Sequence, residues 1–237
     1  MKITFGIITA GDTTGTNPIL ENVLASIERE NIPDDCFEVI VVGGKYDLTS
    51  PLLKLVSFDE TQMKMWITRK KNIITERAQY PNIVYMHDYV AMEEGWYEGM
   101  KSFGDAFDVC MTPILNADGS RFRDWTLWPH DITPDGSPNL QSLLPYDVCD
   151  LSKFMYISGA YWIAKRRVMQ EFPLDETLSW GESEDVKWSK QVREKYDFKL
   201  NPHSSVKLLK QKDRVFGEAT PELIQELRAK NATLQPK

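Results

Sequence analysis

A continuous apolar, β-branched run, ITFGIIT at 3–9, and a second strand-like run ending in glycines, FEVIVVGG at 37–44, set the strongest limit on how this chain can fold. A strand with water on one side alternates apolar and polar residues, whereas a β-branched run that is apolar throughout belongs to a strand covered on both faces. Between the runs, Asn17 and Pro18 have the residue types of a helix start, Asn as N-cap and Pro at the first helical position. Ile19, Leu20, Val23, Leu24 and Ile27 then recur at helical spacing. Strand, helix, strand implies a right-handed crossover and a parallel pair. The expected class is therefore α/β, with a mostly parallel central sheet flanked by helices.

The rest of the chain continues this pattern. KLVSF (54–58) reads as a strand, ITRKKNIITERAQY (67–80) as a helix with Ile67, Ile73, Ile74 and Ala78 inward, and NIVYM (82–86) as the next parallel strand. His87, Asp88 and Tyr89 fall just beyond that strand's carboxyl end, the side on which open α/β sheets bind ligands. A helix around EEGWYEGMKSF (93–103) and a strand DVCMTPI (108–114) follow. Residues 115–153 show no clean periodicity. A stretch of that length inside a compact domain has the character of a lid or binding segment, and it holds Phe122, Trp125, Trp128 and Tyr146. Beyond it, MYISGAYWIAKRRVMQEF (155–172) gives a strand, a turn at Gly159, a second strand and a short helix. ESEDVKWSKQVREKY (182–196) reads as a helix, FKLNPHSSVKLLK (198–210) as strand-like, and PELIQELRAK (221–230) as a closing helix.

With 42% hydrophobic residues over 237 positions, the chain can bury one large core, or one core with a small lobe. A formal charge of −7 argues against a broad nucleic-acid surface, which needs clustered Lys and Arg. The densest basic runs, TRKKN (68–72) and AKRRV (164–168), read as solvated faces. Cys36, Cys110 and Cys149 have no paired spacing, and the opening MKITFGIITAG is too short and Gly-interrupted for a signal peptide. Both point to a reducing, cytoplasmic setting. No apolar run has the length to span a bilayer, and the sequon at Asn231 is expected to be accidental.

Taken in order, these parts resemble a GT-A fold glycosyltransferase, of the large family 2 of nucleotide-sugar transferases, over roughly residues 3–210. FGIITAG and FEVIVVGGK are similar to the family's opening strands, whose following loops hold the nucleobase and ribose. RKKNIITERAQYPNIVYMHDY resembles its basic-Asn helix followed by a strand and a DxD-type motif, here with Tyr89 in place of the second acid. YISGAYWIAKRRVMQEFPLDETLSWGESEDVKWSKQV is the strongest match, with a Gly-small-aromatic strand, a Phe-x-x-(Asp)-Glu turn and an acidic pair opening a helix. NPHSSVKLLK resembles the late segment from which some GT-A enzymes supply a His to a metal.

The resemblance implies a Rossmann-like single domain over 1–237, with a nucleotide-sugar-binding half (1–114), an acceptor and catalytic half (115–210) and a C-terminal helical tail (211–237). It implies donor contacts from Thr9, Ala10, Gly11, Gly43, Gly44, Arg69 or Lys71, Asn72, His87 and Asp88, with Asp47 replacing the family's uracil-reading Asp. Asp185, then Glu184, would be the general base of an inverting transfer. A divalent metal, Mn²⁺ or Mg²⁺, would be held by Asp88 with His203 or His87, acting as Lewis acid on the leaving diphosphate. Gly159, Ala160, Trp125 and Trp128 would meet an acceptor that could be a glycan, a lipid or a small molecule, while Trp162, on a strand, is expected in the core. Arg121 and Arg123 have the chemistry to meet a phosphate or an acidic acceptor, though a solvated arginine is the commoner case.

Bland alternatives exist for each feature: Asp88 as a turn cap, the acids at 182–185 as partners of a helix dipole. Against the latter, Asp185 shares a helical face with Trp188 and Val192, whereas capping acids point to water. Rival functions are a nucleotidyltransferase, which would want a basic phosphate loop where TAGDTTGTN has neither Lys nor Arg, and a catalytically silent sugar- or nucleotide-binding module.

Overall fold

The computed structural model describes residues 1–11, 14–128, 141–213 and 216–234. The chain begins with β1 (Ile3–Ile8), β2 (Thr14–Gly15), α1 (Pro18–Glu28), β3 (Phe37–Gly43), β4 (Lys45–Tyr46), β5 (Leu53–Ser57), α2 (Ile67–Arg77) and β6 (Asn82–His87). It continues through β7 (Val90–Met92), α3 (Trp96–Phe103), β8 (Val109–Met111), β9 (Ile114–Leu115), β10 (Thr126–Leu127) and β11 (Ser142–Leu143). β12 (Met155–Tyr156), β13 (Tyr161–Lys165), α4 (Arg166–Glu171), α5 (Glu184–Val192), β14 (Phe198–Leu200), β15 (Val206–Leu208), β16 (Gly217–Glu218) and α6 (Pro221–Leu234) complete it.

Seven strands form the main sheet in the order β14-β8-β13-β6-β1-β3-β5. β1 is central, and all six of its residues are buried, as its unbroken apolar run requires. It pairs in parallel with β3 and β6. β13 is the antiparallel member, set between β6 and β8. Alternate side chains feed two cores. Phe5, Ile7, Val84 and Met86 face α1 and α3, with Leu20, Val23, Trp96 and Met100. Ile40, Val42, Ile83 and Tyr85 face α2, α5 and α6, with Ile74, Trp188, Val192 and Leu227.

α1 starts as its sequence demands: the Asn17 side chain accepts from the amides of Ile19 and Leu20, and Pro18 fills the first turn. The strand-like stretch 198–210 is two strands, not one. β14 extends the main sheet beside β8, the chain breaks at Asn201-Pro202, and β15 joins β7 and β9 in a separate three-stranded sheet. The unpatterned segment 115–153 is partly ordered as β10 and β11, which join β12 and β16 in a four-stranded sheet; its residues 129–140 lie outside the described ones. All three cysteines are free, and among the described residues no helix is long and apolar enough to cross a membrane.

Candidate active site

Register places the site. Ile8 is level with Val42 on one side and His87 on the other, so the chain leaves β1, β3 and β6 at one edge. Thr9, Gly43 and Asp88 therefore emerge together, and the Asp88 amide donates to Ile8 O at 3.2 Å. Thr9 Oγ1 accepts from the Gly44 amide at 3.1 Å. Gly43 has φ +152°, and a Cβ there would lie 2.1 Å from Thr9 Oγ1, so only glycine fits. Beyond this edge is a cleft of about 340 Å³, lined by Thr9, Ala10, Lys70, His87, Asp88, Lys210 and Lys212 among others.

The β13 end of the same edge carries the acids. The His87 amide donates to Ala160 O at 3.1 Å, and the Gly159 amide donates to Asp185 Oδ2 at 2.9 Å. A Cβ on Gly159 would come within 3.0 Å of both Asp185 Oδ2 and Glu184 Oε1, which explains a residue without a side chain at that turn. Asp185 is half-buried, and its Oδ1 also accepts from the Val186 amide. Glu184 is buried, with Lys71 Nζ 3.7 Å from its Oε1. Burial raises the Glu184 carboxyl, a tendency that Lys71 opposes and Asp185 reinforces.

The basic run 68–72 is not a solvated face. Lys70 and Lys71 are 2% and 1% exposed, because Gly6 of β1 lets α2 sit directly on the sheet: a Cβ at Gly6 would be 2.3 Å from Ile74 Cγ2. Lys70 donates to Thr9 O at 2.6 Å and is bonded to Glu60. Lys71 donates to Gly159 O at 3.0 Å and lies over the ring of Trp162; burial lowers its amine, while Glu184 and Asp185 raise it. Arg69 and Asn72, the expected donor contacts on this helix, turn the other way. Arg69 meets Glu76 and Glu176, and Asn72 clamps the Leu174 backbone, its side-chain N–H donating to Leu174 O and its Oδ1 accepting from the Leu174 amide, and also donates to Glu176. Both hold α2 against the 174–178 turn.

Other expected residues are also placed elsewhere. Trp125 is fully buried, its indole donating to Val148 O at 2.8 Å, and so is a core residue that no acceptor reaches. Trp128 is half-buried, edge-on to Tyr156. Arg121 is spent on Asp124 and Leu144 O. Asp47 is exposed beyond β4, whereas Asp59 and Glu60, after β5, line a second groove with Gly11 and Lys45. Exposed Trp180 (58%) and Met65 stand at the cleft mouth, joined by the Trp180 amide donating to Met65 O. Trp180 was legible only as the residue before Gly181 and the acidic pair.

Asp88 and His203 are not brought together. β7 and β15 pair with Leu208 opposite Val90 and Val206 opposite Met92. Asp88 precedes the first of these pairs and His203 lies beyond the second, at the far end of the ladder. His203 sits in the turn after β14, its backbone against Gly99 of α3. Among the described residues no three His, Cys, Asp or Glu side chains gather in one place, whereas a shell completed by donor phosphates needs only one or two protein ligands. Burial raises the Asp88 carboxyl, against the pull of Lys210, Asn17 and Lys70. His87 is held well below the usual imidazole range by burial, with Lys71, Lys212, Lys210 and Lys70 pushing the same way. Asp88 thus sits among ammonium groups, with His203 held away from it.

No protein-family model matches the sequence, and no curated protein matches it by sequence. Solved structures do match in fold. The Staphylococcus aureus protein TarS, residues 1–349 in complex with UDP-GlcNAc, aligns at a TM-score of 0.58 and 14% identity over 98% of this chain. GalNAc-T7 with UDP, GalNAc and Mn²⁺ aligns at 0.61 and 11% over 93%. The chain spans less than two thirds of either, 66% and 45%. The fold is that of the GT-A glycosyltransferases.

Proposed function

We propose that this chain is a glycosyltransferase that moves a sugar from a nucleotide-diphosphate donor to a hydroxyl acceptor, with inversion at the anomeric carbon. The observation that carries the reading is the half-buried Asp185 carboxylate, held by the Gly159 amide next to Ala160, whose carbonyl meets the amide of the cleft residue His87. The bound nucleotides in the TarS and GalNAc-T7 structures support a donor of the UDP-sugar kind. The nucleobase would enter the groove beside Gly11 and Asp59, and the diphosphate would lie in the cleft beyond Thr9 and Asp88.

Asp185 can take a proton because each carboxylate oxygen has a second acceptor site beyond the backbone bond it makes. Glu184, paired with Lys71 and buried, is less accessible to a hydroxyl. In transfer, the acceptor oxygen attacks the anomeric carbon, its proton passes to Asp185, and the bond from that carbon to the diphosphate oxygen breaks with its electron pair on the diphosphate. Trp180 and Met65 offer an apolar face for the acceptor at the mouth.

The test is Asp185→Asn. It should keep UDP affinity within about twofold and lower transfer, or donor hydrolysis, by roughly 10² to 10⁴. Unchanged turnover would remove Asp185 from the chemistry. Nucleotide binding without turnover of any UDP-, GDP- or CDP-sugar would mark a binding module instead.

A further inference from the structure

The position after Asp88, where the resemblance called for a second acid, is Tyr89, and two lysines close on it. Lys210 Nζ lies 3.7 Å from the centre of the Tyr89 ring and Lys212 Nζ 4.3 Å from it. Lys212 Nζ also donates to the Tyr89 hydroxyl at 2.5 Å. The tertiary fold builds this arrangement. The Leu209 amide donates to Tyr89 O at 2.8 Å, continuing the β7 and β15 ladder, and the Lys212 amide donates to Asn116 Oδ1 at 3.1 Å. The segment 209–212 is thus pinned on both sides across the cleft mouth. Arg123, whose guanidinium lies over the Phe122 ring, adds a further positive charge felt by both Tyr89 and Lys212.

The cleft therefore opposes Asp88 and Glu60 with Lys70, Lys210 and Lys212. Glu60 is already matched by Lys70. That leaves more positive charge than Asp88 offsets, in a site where burial strengthens each interaction.

We propose that Lys210 and Lys212, held on the face and hydroxyl of Tyr89, are the receptor for the donor's diphosphate and supply the charge for which other sites recruit a divalent cation. Two ammonium groups carry six N–H donors, of which Lys212 gives one to the Tyr89 hydroxyl and the rest can meet phosphate oxygens. They also stand where negative charge grows as the sugar leaves, which is where fixed cations lower a barrier most. The inference rests on the nucleotide-sugar reading above and deepens it.

Calorimetric titration of UDP and of inorganic pyrophosphate, each in EDTA and then with added Mn²⁺, tests it. Both should bind in EDTA, with Mn²⁺ changing either affinity less than about threefold. Lys210→Ala with Lys212→Ala should weaken both by about tenfold or more, and Lys210→Arg with Lys212→Arg should retain most of the affinity. Unfolding temperature, read on the same samples, shows whether each variant is folded. UDP binding that requires Mn²⁺ would overturn the lysine receptor and leave the donor reading in place. So would a folded double alanine variant with unchanged affinity. Pyrophosphate bound through the lysines, with no nucleotide diphosphate bound more tightly, would overturn the donor reading and leave the receptor in place. No binding of either probe overturns both.

Discussion

At the scale of single residues, Lys212 is the group whose charge should govern binding near physiological pH. Burial pushes its amine down to about 8, and Lys210 and Arg123 push it the same way. Below that value it is charged and can meet phosphate oxygens; above it the free protein has lost the proton. The diphosphate itself is fully ionised well below pH 8, so Lys212 is the partner that changes. UDP affinity should therefore fall between pH 7 and 9.5, and Lys212→Arg, whose guanidinium stays charged, should flatten the profile. The sign for folding is opposite. The unfolded chain keeps this proton up to the ordinary lysine range, so the unfolded state binds more protons between about 8 and 10, and this group's contribution to stability rises with pH there. Titration of UDP by calorimetry at the two pH values, beside urea unfolding at the same values, checks both signs.

At the scale of elements, the site depends on how closely β1, β3 and α2 approach one another. Gly6 lets α2 lie on β1, and Gly43 lets the chain leaving β3 pass Thr9. Gly43→Ala combines a backbone angle that L-residues rarely adopt with a contact onto Thr9 backbone and hydroxyl. It should cost roughly 1–3 kcal/mol, read as a lower urea midpoint, and should weaken UDP binding by moving the loop that carries Thr9 to Gly11. α2 is also the bridge between the two parts of the cleft. Trp66, just before α2, and Thr68 in its first turn donate through their side chains to the carbonyls of Glu176 and Leu178, at 2.7 Å each, so the turn before the acidic pair is positioned by a helix from far earlier in the chain. Arg69 and Asn72 serve this clamp, which is why a basic-Asn helix start recognised in the sequence did not identify which of its side chains face the ligand.

At the scale of the whole molecule, the last helix is part of the core. Leu227 is fully buried and Ile224 nearly so, in the cluster that includes Leu144, Val148 and Leu151. β16 joins β11, and Arg228 pairs with Asp150 at 2.7 Å. Leu227→Ala should cost about 2–5 kcal/mol in urea unfolding, while UDP affinity at 15 °C stays within about twofold of the unsubstituted chain because the cleft lies at the other elements. A loss of affinity in the folded variant would mean that the helix reaches the cleft.

Local chemistry was enough to determine the class of fold. The runs at 3–9, 37–44 and 82–86 have the character of strands covered on both faces, Asn17-Pro18 has the residue types of a helix start, and the acidic pair at 184–185 falls in a helix read from residue 182 that begins at Glu184. Which charged side chains enter the cleft was decided by tertiary structure, because neighbours on one helix point in different directions and strands distant in sequence meet at one edge. Lys70 and Lys71 went inward and Arg69 outward, Trp125 became core while Trp180 stayed at the mouth, and His203 was carried away from Asp88 by the same β-ladder that brought Lys210 to it. Spacing along a chain records which residues share an element; only the register between elements determines which charges share a pocket.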